Sequence, residues 1–294
     1  MDTIRKTSKL FVISLFFVIV SFSVGCEPQE KYERSVDLLK PAGNSEIIEA
    51  TTLNGDIIYN GNETGDFGGI AKIQARARTK EIAQRLADET KVSFEDVENK
   101  VVVKIEKPVV GEYESVSVSL DIAGPKAMSV VFESKNGDIV VKQIDKNMTA
   151  KTKNGDINGC CIGLYVIAES KNGDIKLNQV GKDITAQTKN GDIRVQDIGG
   201  NSNLVTKNGD INLFYKPEAT EVSNISVVSK NGSIELRAPR WNSVQVQLVS
   251  ENGDIDSQFP VQFRGKLRGS GEWLIGDGKN KLNISTTNGD IKIY

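Results

Sequence analysis

The chain has 294 residues, 37 Lys plus Arg against 39 Asp plus Glu, a formal charge of −2, and no histidine. That balance leaves no electrostatic footprint for nucleic acid, and the missing imidazole removes the commonest general base and metal ligand. With 38% hydrophobic residues, a chain of this length can still bury a full core.

Residues 1–25 read as a signal peptide. Arg5, Lys6 and Lys9 precede an apolar run from Leu10 to Val24, short for a membrane span and suited to a signal segment. The run ends in Ser23-Val24-Gly25-Cys26, small residues ahead of a cysteine, as at a bacterial lipoprotein cleavage site. Cleavage there makes Cys26 a lipidated N-terminus, so the expected location is the cell envelope, on the outer-membrane or periplasmic side or the cell surface. Glu27 stands where Asp would signal inner-membrane retention. Removing three basic residues and one acidic residue takes the formal charge from −2 to −4.

Residues 26–45 are charged, lack a strand pattern and read as a tether. Residues 46–133 form a β-rich entry region. Ile47–Thr51 leads into Asn54-Gly55-Asp56-Ile57, and Ile70–Arg78 partly alternates. Residues 80–90 place Ile82, Ala83, Leu86 and Ala87 on one helical face. Strands are expected at 92–97, 101–105 and 115–122, with Glu98-Asn99-Lys100 as a turn.

From residue 134 to 294 the chain is periodic. Asn-Gly-Asp-Ile starts at Asn136, Asn154, Asn172, Asn190 and Asn208, each 18 residues after the last, and variants follow at Asn231, Asn252 and Asn288. The 36-residue gap between the last two invites a hidden copy at Ser270-Gly271-Glu272-Trp273. Within a unit, Ile175/Leu177 and Ile184/Ala186/Thr188 alternate with polar residues, which is strand periodicity. Asn-Gly is a strong hairpin signal. The other corner, however, always carries an aliphatic (Ile144, Ile162, Val180, Ile198), where an exposed hairpin tip would be polar. The expected fold is therefore all-β: a single-chain β-solenoid, right-handed by the crossover preference, with about 18 residues per turn. Left-handed hexapeptide helices fail, because Gly181 and Gln187 stand six and twelve places after Ile175. In this order Gly173 is a central turn glycine and Gly289 belongs to the last turn.

The lipoprotein-type signal, the strand–helix–strand entry and the runs of Asn-Gly-Asp-Ile resemble a bacterial "putative adhesin" family of domains of unknown function. The ending from Gly269 through Asn288-Gly289-Asp290-Ile291 resembles it too. The resemblance implies a β-solenoid at the cell envelope and carries no catalytic residues over. The adjacent Cys160 and Cys161 depart from it.

The repeated triplets Asn136-Gly137-Asp138, Asn154-Gly155-Asp156, Asn172-Gly173-Asp174, Asn190-Gly191-Asp192 and Asn208-Gly209-Asp210 are the structural site of the repeat. The Asn column suits an amide ladder or left-handed backbone. One Asp per 18 residues does not match the nine-residue repeat of calcium rolls, so no metal or cofactor is expected. The Asp side chains can accept backbone N–H bonds in the turn. The Lys column at 135, 153, 171, 189 and 207 would offset their charge. Cys160 and Cys161, adjacent on a strand, should face opposite sides as small core filler, with an intermolecular disulfide as the alternative. No aromatic track marks a glycan-cleaving groove. The expected role is thus a lipid-anchored envelope scaffold or adhesin-like binding module, not an enzyme. Its expected partners are the membrane, through the N-terminal lipid, and an envelope protein or glycan. A glycan-active β-helix enzyme and a self-assembling β-helix polymer are the alternatives.

Overall fold

The computed structural model describes residues 29–41, 43–216, 218–258 and 265–294. The signal segment and Cys26 lie outside them. Its first elements are β1 (Glu30–Lys40), β2 (Ile47–Asn54), β3 (Ile57–Asn62), β4 (Phe67–Ala77), α1 (Lys80–Glu89), β5 (Lys91–Val97), β6 (Lys100–Glu106) and β7 (Ser115–Pro125). The stretch expected to be a strandless tether thus contains a strand. Tyr32, Arg34, Val36 and Leu38 turn inward with period two, and β1 lies antiparallel along β4. An arginine in the second inward place, and an exposed leucine at Leu39 beside the buried Leu38, hide that alternation.

The coil continues through β8 (Ser129–Asn136), β9 (Ile139–Ile144), β10 (Met148–Asn154), β11 (Ile157–Ile162), β12 (Val166–Asn172), β13 (Ile175–Val180), β14 (Ile184–Asn190), β15 (Ile193–Ile198), β16 (Ser202–Asn208) and β17 (Ile211–Tyr215). Strands ending in Asn stack in parallel as one sheet, and those starting at Ile stack as a second, both in an 18-residue register. The solenoid is therefore the architecture, and it begins before residue 134. Strand β2 pairs with β8, Asn54 opposite Asn136, and β3 pairs with β9. Asn54 marks the first turn of the coil, and β4–β7 are an excursion from it.

That excursion covers the N-terminal end. Strand β7 extends one sheet beyond β3, and β4 and then β1 follow it. The β5–β6 hairpin extends the other sheet beyond β2. Thr79 caps α1 by accepting the Ile82 N–H, and Ala83, Leu86 and Ala87 are buried on its inner face. Phe67 and Phe94 meet across the two sheets with ring centroids 5.4 Å apart. A sheet end that would otherwise offer unpaired donors and acceptors is thus partly closed.

Inside the coil the two sheets present buried aliphatics to each other. The turns compensate one another's volumes. Gly159 holds the place of Val141 and Leu177, and Met148 and the Leu177 side chain occupy the space a Cβ there would need. Ser202 stands where the two neighbouring turns have Ile184 and Ile225, and Tyr215 fills the gap with its hydroxyl 2.6 Å from Ser202 Oγ. Burial pushes the Tyr215 phenol well above its ordinary range.

The aliphatic corner has a backbone cause that its residue types do not show. Gln143, Cys161, Gln179 and Asp197 hold φ of 57°, 60°, 55° and 57°. This step breaks the alternation, so that two outward residues separate inward Val141 from inward Ile144. Each such residue without the freedom of glycine costs about 1 kcal/mol.

At the C-terminal end come β18 (Asn224–Asn231), β19 (Ile234–Arg237), β20 (Val244–Ser257), β21 (Gly265–Ile275), β22 (Asn280–Asn288) and β23 (Ile291–Ile293). Here stacking order and chain order part. Strand β18 pairs with β22, and β22 pairs with β20 on its far side. The final turn of the chain is inserted between its two predecessors. The place expected for Gly289, in a terminal turn, is overturned: it sits between Gly232 and Gly253. The hidden copy at Ser270–Trp273 is absent too, because those residues lie within β21, antiparallel to β20, with Trp273 opposite Val246. They bring no Asn to a corner.

Candidate functional site

The corner repeated along the coil is built from three ladders. In the first, each Asn amide donates to the Asn carbonyl oxygen of the preceding turn. Asn154 Nδ2 reaches Asn136 Oδ1 at 2.6 Å, and Asn172→Asn154, Asn190→Asn172 and Asn208→Asn190 follow at 2.7 Å. In the second, each Asp Oδ1 accepts the backbone N–H of the next turn's Asp: Asp138 from Asp156 and Asp156 from Asp174 at 2.8 Å, Asp174 from Asp192 and Asp192 from Asp210 at 2.9 Å. In the third, a buried Thr or Ser hydroxyl donates to the Gly carbonyl of the turn before, as Thr188 Oγ1 does to Gly173 at 3.0 Å.

The ladders also read out the stacking order. Asn288 donates to Asn231, and Asn252 donates to Asn288. Nine turns therefore share one corner among the described residues, ordered by the asparagines 54, 136, 154, 172, 190, 208, 231, 288 and 252. The glycines let the turns approach. A Cβ on Gly173, whose φ is +154°, would come within 1.9 Å of the Gly155 carbonyl oxygen.

The Asp column draws its cations from an unexpected side. Lys176 lies 3.3 Å from Asp174 and 3.9 Å from Asp156, and Arg194 lies 2.8 Å from Asp192. These cations follow the aspartates, on the second sheet. Burial raises the Asp174 pKa, but the Asp192 N–H, Lys176 and Arg194 together outweigh it, so the carboxyl sits below its ordinary value. The lysines ahead of each Asn do not offset the aspartates as expected. Lys135, Lys153, Lys171, Lys189, Lys207 and Lys230 are all exposed, on the outer face of the first sheet. None has a carboxylate within ion-pairing distance among the described residues.

The cysteines also depart from expectation. Both are half-buried, with their Sγ atoms 3.1 Å apart, because the positive φ at Cys161 cancels the strand alternation. The Cys161 side chain, then burial, hold the Cys160 thiol above its ordinary value. Cys160 borders a shallow groove of about 350 Å³ on the second sheet, with Lys176, Asn178 and Arg194 along it. Asn178 Oδ1 there is a buried polar atom without a hydrogen-bond partner.

Residues 163–294 match the Toastrack DUF4097 family. The Toastrack match takes in the coil from Gly163 onward, including the inserted β22 turn. Among solved structures, a "putative adhesin" from Bacteroides fragilis NCTC 9343 is 17% identical with a TM-score of 0.44, covering 91% of this chain and 99% of its own. A "putative adhesin" from Parabacteroides distasonis ATCC 8503 is 10% identical with a TM-score of 0.39, covering 91% and 98%. A "putative cell adhesion protein" from Clostridium sporogenes ATCC 15579 is 12% identical with a TM-score of 0.23, covering 90% and 99%. No curated protein matches the chain.

Proposed function

We propose that this protein is an exported, lipid-anchored envelope component whose coil serves as a scaffold or adhesin-like binding module. The observation that carries the reading is the uninterrupted corner: nine turns held in one register by Asn, Asp and Ser/Thr ladders. Such a body displays outward side chains in straight columns at the ~4.8 Å strand spacing. It gives an extended partner a rigid surface whose ordering cost is already met in folding. The anchor rests on the apolar run before Cys26. Binding is preferred to catalysis because the chain lacks histidine.

One experiment tests both halves. The full chain and its Cys26→Ser variant are fractionated from cells and then used to capture envelope material, with glycan and protein fractions kept apart. The wild type should partition with membrane and retain one fraction, and Cys26→Ser should become aqueous while retaining the same fraction. Unchanged membrane partition of the variant removes the lipid anchor. Failure to retain either fraction removes the binding module.

A further inference from the structure

We infer that the lysine column on the first sheet is a binding ladder for a linear polyanionic glycan, one bearing a carboxylate on each sugar ring. The inference rests on the binding-module reading and names the ligand class for it.

Three observations support it. Lys135, Lys153, Lys171, Lys189, Lys207 and Lys230 occupy six consecutive turns, each between a buried Ser or Thr and the ladder Asn. Leu53 ends the run on one side and Thr287, then Glu251, on the other. These ammonium groups are not the counter-charge of the acidic corner, because Lys176 and Arg194 serve Asp156, Asp174 and Asp192 from the other sheet. The first sheet therefore carries a line of unneutralised positive charge on a chain whose net charge is −2.

The surroundings match a sugar chain. A groove of about 640 Å³ runs beside Lys171, Lys189, Lys207 and Lys230, and Gln187, Val205 and Val228 form its far wall. This wall offers an amide for hydroxyls and apolar surface for ring faces. Toward the other end it becomes charged, with Lys151 and Glu169 paired at 3.2 Å; Glu169 is level with Lys171, so the uncharged stretch lies beside Lys189, Lys207 and Lys230.

Like charges stacked at ~4.8 Å in water repel by less than about 1 kcal/mol per neighbouring pair. The coil tolerates the column, and a polymer with one anion per ring relieves the repulsion along its whole length. Single ammonium–carboxylate contacts at such a surface are weak, so binding must come from several in register. It should weaken steeply with salt.

The test uses the purified full chain with polygalacturonate, dextran and single-stranded DNA as probes at low and physiological salt. Wild type should bind polygalacturonate, and the triple variant Lys171→Gln/Lys189→Gln/Lys207→Gln should bind it about tenfold more weakly. The charge-matched control Lys91→Gln/Lys146→Gln/Lys281→Gln changes three exposed lysines elsewhere and should stay within about twofold of wild type. Equal losses in the two triples would reduce the effect to net charge and overturn the ladder. Equally tight, equally lysine-dependent binding of DNA would overturn the glycan assignment. No polygalacturonate binding, with an envelope fraction still captured, would overturn the ladder and leave the binding module standing. Capture of nothing at all would remove both.

Discussion

The middle of the coil and its C-terminal end use the same corner chemistry under different chain orders. From Asn136 to Asn208, the next turn in sequence is the next turn in space. From Asn231 on, the turn at Asn288 lies between those at Asn231 and Asn252. The ladders are continuous through both regions. A turn's place is therefore set by which edge its Asn, Asp and hydroxyl groups can cap, and connectivity only has to permit it. The long antiparallel strand β21 permits it here, carrying the chain back so that β22 enters the gap.

The largest expected effect separates internal from terminal turns. Valine at Gly173 or at Gly289 must displace backbone, since a Cβ would meet a carbonyl oxygen at 1.9 Å and 2.2 Å respectively. Each change disturbs turns on both sides, so both should cost about 4 kcal/mol in denaturant unfolding. Gly253→Val lies in the outermost turn and should cost about half that. If Gly289→Val proved as mild as Gly253→Val, the inserted order would be wrong.

A smaller contrast follows from the amide ladder. Asn172 both donates and accepts within it, whereas Asn252 only donates. Asn172→Ala should lower stability by about 2 kcal/mol and Asn252→Ala by about 1. Equal losses would mean that the ladder does not add turn by turn.

The smallest effect has the opposite sign. Non-glycine residues with positive φ recur at the aliphatic corner through Asp197 and stop there. Asp197→Gly should raise the unfolding free energy by about 1 kcal/mol. The same change at Tyr215, one turn on, should destabilise by removing a buried ring bonded to Ser202. A neutral Asp197→Gly would show that the corner is not strained.

Much of the coil was legible because stacking repeats each residue's environment every 18 positions, so Asn136, Asp138 and Ile139 recur as types. The helix at 80–89 was legible from its spacing. What escaped has physical reasons. The left-handed corner is filled by Gln, Cys, Gln and Asp, which share no residue type, so only the backbone reveals it. Strand β1 carries Arg34 in an inward slot. The side each lysine serves depends on which face a corner turns it to, and proximity to Asp in sequence pointed the wrong way. The C-terminal order was invisible because the Asn231, Asn252 and Asn288 turns present interchangeable edges.

That interchangeability bears on how the chain is made. When residue 257 has left the ribosome, the edge of the Asn231 turn is already waiting, and the Asn252 turn carries the same amide and hydroxyl groups as the Asn288 turn that belongs there. The earlier arrival can occupy the site as a shortened coil, and the correct product requires it to be vacated or kept away until residues 280–293 emerge. Synthesis thus builds a competition between two near-equivalent zippers into the last moments of folding.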